Sequence, residues 1–548
     1  MTAFFTSVPL AITPLTPVHV GCGEDFEPTN YVIDDGVLYH FDPTRAELSP
    51  EDARTLVAEA SRPKGDDALL GIQRFFHSRR ARFIGIANGA LPVCTGVAEQ
   101  YAQRIGKAAQ RETAGVRINQ LIIERTVHDA GSGAPYLPGS SLKGALRTAW
   151  LDALNGGRSN RDQSKAQDIE RALLGHARGF ECDPFRLLAI GDARGEMVES
   201  EVVFATNHKK KLVRDRAGRE QFAKGPESRR EVIRGGQFRA FGCEVRIHGL
   251  PGVRDNREVP AQQRRIPDLR TLAHACNRFY APRLRASLQL LESRGLAAAD
   301  WLQGVHELLD ALSARLESGE LMLLRIGRHA GAESVTLDGV RRIKISPPHV
   351  KPPKFSAEGA ATIWLAAPRA NARSGLQPFG WVLVERAAAA PAPGLEAWCT
   401  AQPRLDTTAI ATRLAAARAE AREAAARLHA ERVARSEQEV AERLAEAERQ
   451  RRREGASEQA RLVMDFVEAC ESMLAEGRRD SFNPGSGLYG RANSLSRQAL
   501  AEGSPWTAEE RAELADACER YLPEVLQGWD AKAARKKLRI AALRGSTA

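Results

Sequence analysis

Pro135-Tyr-Leu-Pro-Gly-Ser-Ser-Leu-Lys-Gly-Ala-Leu-Arg-Thr-Ala-Trp150 reads as a tight, glycine-bearing loop that runs straight into an amphipathic helix. Pro138 and Gly139 supply the turn, and Ser140 or Ser141 is placed to cap the helix that follows. The first turn of a helix leaves backbone N–H groups unpaired and carries the positive end of the macrodipole, so anions settle there. Lys143 and Arg147 stand four apart and share one helical face beside those amides. Gly144 removes a side chain where a ligand or another backbone needs close approach. The design suits phosphate and contains no base or nucleophile.

Two common phosphate motifs are excluded. Lys143 is followed by Gly144 and not by Ser or Thr, so this is no Walker A loop, and the dinucleotide fingerprint needs a different glycine rhythm. The plain alternative is a capped surface helix with two solvated cations.

Composition favours an anionic partner. The 548 residues carry a net charge of +10, and 43% hydrophobic content is enough for real cores in two or three domains. Aromatics make up only 6%, which suits gripping a phosphate backbone better than stacking bases. Eight cysteines (22, 94, 182, 243, 276, 399, 470, 518) include no Cys-x-x-Cys pair, so neither a compact zinc site nor a disulfide framework is expected, and no cofactor is implied. Neither a signal peptide nor an apolar run of membrane-spanning length is seen, and the expectation is a cytoplasmic protein without membrane contact.

Along the chain, residues 3–20 predict an opening strand interrupted by turns at its prolines, followed at once by Gly21 and Gly23. Tyr31–Ile33 and Val37–Phe41 predict a hairpin around Asp34-Asp-Gly36. Helices are expected over 49–59 and 69–80, and a strand over 116–125. The window Lys209–Arg265 holds sixteen Lys/Arg against seven Asp/Glu, a net of +9, and begins with Lys209-Lys-Lys211. It reads as a glycine-punctuated excursion between strands at 201–205 and 243–248. Leu324-Arg-Ile-Gly-Arg-His-Ala-Gly331 repeats the strand-then-glycine-turn logic, with Arg325, Gly327 and Arg328 at the turn and a possible helix start after it. A closing strand follows at 377–385. Beyond the Ala/Pro linker 387–394, residues 405–454 contain neither Gly nor Pro and predict a long helix or helical hairpin, about 75 Å if continuous. Residues 457–548 read as a small helical domain.

The string Pro138-Gly-Ser-Ser-Leu-Lys-Gly144 with Arg147 resembles the glycine-rich loop of the RAMP superfamily of CRISPR proteins. The opening Leu15-Thr-Pro-Val-His-Val-Gly-Cys-Gly-Glu24, with Asn30-Tyr-Val-Ile-Asp34 and Tyr39, resembles the Csm-type subunits that cap the crRNA 3′-end side of type III-A effector complexes. The resemblance implies an α+β fold: tandem ferredoxin-like (RRM-like) modules over 1–395, a basic thumb inserted at 205–265, and an all-helical extension. It also implies guide crRNA, target RNA alongside it, a neighbouring RAMP backbone subunit and other effector subunits as partners. His19, Gly21, Gly23, Pro138–Ser141, Lys143, Gly144, Arg147, Lys209–Lys211, Arg325, Gly327 and Arg328 are the expected RNA-contacting set.

A ribonuclease is the competing class, because some RAMP relatives cut RNA. Asp129, His128 and Asp34 are the candidates, with Tyr136 beside His128 as a possible proton donor. Acidic turn residues are common for conformational reasons alone, and a lone loop histidine is more often a hydrogen-bonding group. The expectation is therefore a clamp without catalytic or metal residues.

Overall fold

The computed structural model describes residues 4–63, 65–107, 120–159, 165–175, 180–214, 218, 228–250, 252–254, 258–346, 351–483 and 485–545. Two compact units emerge, Met1–Ala425 and Ala426–Ala548. The fold is α+β: the strands of the three larger sheets lie in the first unit, and the second is almost wholly helical.

A five-stranded antiparallel sheet has the order Leu321–Arg325, Trp381–Arg386, Phe5–Pro14, Phe241–His248, Leu188–Ile190. Phe5–Pro14 runs unbroken, where its prolines predict interruption. Pro9 fits because the strand Trp381–Arg386 begins pairing only at Leu10, so no ladder bond needs the missing N–H. The helices Gly139–Asn155 and Leu269–Ser293 meet through the Tyr280 hydroxyl, which donates to the Ala145 carbonyl at 3.0 Å. Buried Asn277 ties the second of these helices to the sheet, donating to the Leu321 carbonyl at 2.7 Å and accepting from Leu323 N–H at 2.8 Å.

A six-stranded sheet has the order Gln377–Pro378, Thr362–Ala367, Ser200–Lys209, Ser228–Ile233, Ile123–Thr126, Gly21–Phe26. Only Ile123–Thr126 and Ser228–Ile233 run parallel. Of the strand expected at 116–125, positions 116–119 lie outside the described residues. Both large sheets mix early and late segments, so the first unit is interleaved in sequence. The expected excursion at 205–265 is narrower than its charge suggests. Ser228–Ile233 and Phe241–His248 belong to the two sheets, and the connection over 215–217 and 219–227 lies outside the described residues.

The hairpin Tyr31–Asp34/Val37–His40 forms as its turn dictates and adds Gly89–Pro92 as a third strand. Its core (Val32, Tyr39, Phe41, Phe76, Phe83) also takes Leu414, with Ile410 and Ala417 against it. The first turns of the long helix therefore belong to the first unit, which continues past 395 to Ala425. That helix, Thr407–Glu454, is a single 48-residue element and not a hairpin. In the second unit, Ala508–Val525 begins with a Thr507/Glu510 capping box and passes through Pro523 to bury Leu522 and Val525.

Gly380 lies between the short strand Gln377–Pro378 of one sheet and Trp381–Arg386 of the other. Its φ is +89°, and a Cβ there would stand 2.2 Å from the Ile326 carbonyl oxygen. Gly380→Ala should cost roughly 2 kcal/mol or more of stability in the first unit. Denaturant unfolding followed by the tryptophans of that unit measures it. A variant that unfolds with the parent would show that the Ile326 carbonyl moves aside freely.

Candidate nucleic-acid interface

Helix Gly139–Asn155 begins two or three residues earlier than its serines suggest. Pro138 is the N-cap, its carbonyl accepts from Ser141 and Leu142 N–H (3.0 and 3.2 Å), and no side-chain cap bond is made. Ser140 and Ser141 thus stand inside the first turn, which corrects the expected capping role. The amide of Gly139 donates to Asp192 Oδ1 at 2.8 Å, so a carboxylate of the chain already sits at the positive end of the helix. A Cβ on Gly139 would meet the Ile190 carbonyl at 2.4 Å, and the absent side chain serves this internal contact.

The two cations of that helix are also engaged internally. Lys143 Nζ donates to the Leu188 carbonyl at 2.7 Å, and burial lowers its pKa. Arg147 pairs with Glu170 at 2.7 Å and with fully buried Asp183 at 2.8 Å. Removing Arg147 would take away the charged partner of buried Asp183, whose Oδ1 also accepts from Phe185 N–H at 2.8 Å, and would therefore destabilise the fold. A charge-removal experiment at Arg147 therefore reads folding before RNA. Ser140 and Gly144 remain exposed one turn apart on the open face.

The other glycine-rich segments meet each other. Gly327, with φ at +77°, would place a Cβ 2.3 Å from the His19 carbonyl oxygen, and Arg328 N–H donates to that same oxygen at 2.8 Å. His19 itself is fully buried. Its Nδ1–H donates to the Glu231 carbonyl at 2.7 Å, and Nε2 accepts from Arg230 at 3.2 Å. Burial, with Arg230 beside it, pushes its pKa down to about 4. The ring holds two segments together and presents no face to a phosphate, which corrects its expected role as a direct contact. Arg325 is likewise 5% exposed, donates to the Phe379 carbonyl at 2.9 Å, and is a core residue. Arg328 projects outward and pairs with Glu124 at 2.9 Å, while Gly21 and Gly23 lie exposed on the edge strand.

The basic window divides in the same way. Arg229 donates to Gln100, Arg230 pairs with Glu124, Arg234 with Glu199 (2.8 Å) and Glu201 (3.0 Å), and Arg239 with buried Glu385 (3.2 Å). Lys210 pairs with Glu333 at 2.5 Å, Lys209 is half-buried, and Lys211 is exposed.

The candidate acids have structural work. Asp129 Oδ1 accepts from Gly131 and Ser132 N–H (3.1 and 3.0 Å), and Oδ2 pairs with Arg194 at 3.0 Å. The Ser132 bonds, with the Arg194 contact, hold its pKa down to about 2. Asp34 is held by Arg80 (2.8 Å) and Arg413 (2.5 Å). His128 donates from Nδ1 to the Thr126 carbonyl at 3.1 Å and turns Nε2 toward Glu24, not toward Asp129.

One surface escaped the sequence reading. The small hairpin Ile343–Lys344/Phe355–Ser356 exposes Phe355 (41%) and Ile345 (42%), with Arg342 over the Phe355 ring at 4.2 Å and Lys354 alongside. The signal was present as the cations clustered at 341–344 and 351–354.

The family described as the RAMP superfamily matches residues 11–256. Over this region the chain is similar to RAMP-superfamily proteins. No curated protein matches the sequence. Among solved structures, the chain is similar to the crystal structure of T. onnurineus Csm5, at 15% identity and a TM-score of 0.39, covering 68% of this chain and 99% of that one. It is also similar to a chain in a cryo-EM structure of a Csm-crRNA-target RNA ternary complex of a type III-A CRISPR-Cas system. There the identity is 16% and the TM-score 0.40, over 69% of this chain and 100% of that one. The RAMP match takes in the glycine loop at 138–144 and the His19 crossing, and stops before Leu324–Gly331.

Within the matched residues 11–256, burial raises the Glu231 carboxyl to about 7. A raised acid pKa means the unfolded chain loses its proton first, so this residue's contribution to stability falls as pH rises from about 4.5 through 7. Glu231→Gln should therefore gain stability relative to the parent as pH increases from 5 to 8. Urea midpoints of both proteins at the two pH values check this, and a constant difference would refute the assignment.

Proposed function

We propose that this chain is a non-catalytic, crRNA-binding subunit of a type III CRISPR effector complex of the Csm type. In this reading it holds the 3′-end side of the guide and caps the backbone filament, with target RNA alongside and other effector subunits as neighbours. The RAMP match supports the superfamily, and the likeness of Leu15–Asp34 to Csm-type openings supports the narrower assignment.

Gly144 is the observation that carries RNA contact at the loop. It lies well inside a 17-residue helix, is exposed, and a Cβ there would meet nothing within 4 Å. Glycine at such a helical position costs about 1 kcal/mol against alanine, and no contact within the described chain requires it. A ligand backbone lying against Ser140 and Gly144 would require it. Arg328, Lys211 and the hairpin carrying Arg342, Lys354 and Phe355 would add sequence-independent phosphate contacts and one apolar surface.

A ribonuclease built on Asp129, His128 and Asp34 is less well supported. Asp129 and Asp34 satisfy turns and ion pairs, and His128 faces Glu24. No acid–base pair converges on an open cleft among these residues.

Two substitutions at one position separate fold from function. Gly144→Ala should stabilise the helix by about 1 kcal/mol, whereas Gly144→Glu should weaken binding of labelled single-stranded RNA on the order of tenfold. Fluorescence anisotropy across a salt series measures the second effect. Equal affinity for Gly144→Glu and the parent would take this helix face out of the RNA path.

A further inference from the structure

Three residues that the sequence places far apart meet at the edge of the six-stranded sheet. Cys22 and Glu24 lie on the exposed edge strand Gly21–Phe26, on either side of Gly23, whose φ is +85°. The pairing Gly21↔Thr126 brings His128 beside them, and the register shifts between Gly21 and Asp25. One donor atom from each of Cys22, Glu24 and His128 lies within 4.8 Å of the others.

We infer that Cys22, Glu24 and His128 form a divalent-metal site of the zinc class. Tetrahedral coordination with bonds of about 2.0–2.3 Å puts donor atoms roughly 3.3–3.7 Å apart. His128 Nε2 and Glu24 Oε2 stand at 3.6 Å. The His128 tautomer is set for coordination, because Nδ1–H donates to the Thr126 carbonyl at 3.1 Å and leaves the Nε2 lone pair on the Glu24 side. Thiolate, carboxylate and neutral imidazole match a borderline-soft ion, and their two negative charges balance its two positive ones. On binding, the Cys22 thiol, which now makes only long contacts of 3.7 Å to the Arg125 and Thr126 carbonyls, releases its proton to solvent. Three protein ligands leave a fourth position for water on the side where Glu24 is 63% exposed. Arg125, at 3.3 Å from Glu24, is the competing cation. It is also drawn toward Glu231 (3.7 Å) and lies over the Phe26 ring at 4.4 Å, so it can stay in place when Glu24 turns to a metal.

Cobalt(II) is the probe. Full-length protein, stripped with chelator, is titrated with Co2+ and then with Zn2+. One Co2+ per chain should bind with a thiolate-to-cobalt charge-transfer band, and Zn2+ should abolish that band. Cys22→Ser should remove the charge-transfer band and His128→Gln should weaken affinity roughly tenfold or more, while Cys182→Ser leaves both unchanged. Melting temperatures without metal verify that each variant folds. If Cys22→Ser does not fold, the His128→Gln titration decides alone. No thiolate band in the parent, or metal affinity that survives both ligand substitutions, overturns the site.

Discussion

The passage of residues 14–20 between the two large sheets is the constraint on which the first unit depends. Phe5–Pro14 lies in the five-stranded sheet, and Gly21–Phe26 begins the edge of the other. In between, the chain is gripped from two sides. Leu15 N–H donates to the Trp381 carbonyl and Gly380 N–H to the Pro17 carbonyl, while Arg328 N–H reaches the His19 carbonyl. On the opposite side Val18 exchanges bonds with Ile233, and Gly236 N–H donates to the Pro14 carbonyl. These contacts join segments more than 200 residues apart, and the absent side chain of Gly327 permits the one at His19. Both glycine-rich turns owe their positions to this crossing.

The same junction explains why formal charge overstates what a partner can feel. The window 209–265 has a net charge of +9, yet Arg229, Arg230, Arg234 and Arg239 face Gln100, Glu124, Glu199, Glu201 and Glu385 from within or beneath the sheets. Buried guanidinium groups of this kind must be hydrogen-bonded, because leaving one unpaired in a low dielectric is far costlier than the net worth of the pair. A long-range positive potential survives from the excess charge, but contacts at hydrogen-bond distance are left to outward-facing groups such as Lys211, Arg328 and Lys354.

Local rules were readable and distant pairings were not. Asp34-Asp-Gly36 specified its hairpin and Ser49 its helix, because each is decided by neighbours in sequence, while the Gly- and Pro-free run left open a helical hairpin that the structure does not form. That Leu10 would face Arg386, or that Asp183 would lie against Arg147, depends on packing between segments with no sequence signature. The site residues divided accordingly. Motif reading found the glycines and cations of 138–147 but assigned outward roles to His19 and Arg325, which burial turns inward. Cys22, Glu24 and His128 were invisible for a related reason: a strand register, and not a spacing, unites them.

Gly139 and Gly144 show how one motif can hold two kinds of glycine. Each removes a side chain from the same helix, and the motif alone cannot say for whom. At Gly139 the space is filled by the Ile190 carbonyl of the chain itself, so any larger residue must displace backbone. At Gly144 the space is open, and alanine would favour the free protein. The first glycine is explained by folding. Under the proposed function the second answers to a partner pressed against the helix, for which an RNA backbone, thin and repeating, would fit a face that offers Ser140 and an exposed turn without a cleft. Because Lys143 and Arg147 are tied down, RNA bound there in the proposed way would be attracted by backbone proximity and the surrounding positive potential more than by two free cations.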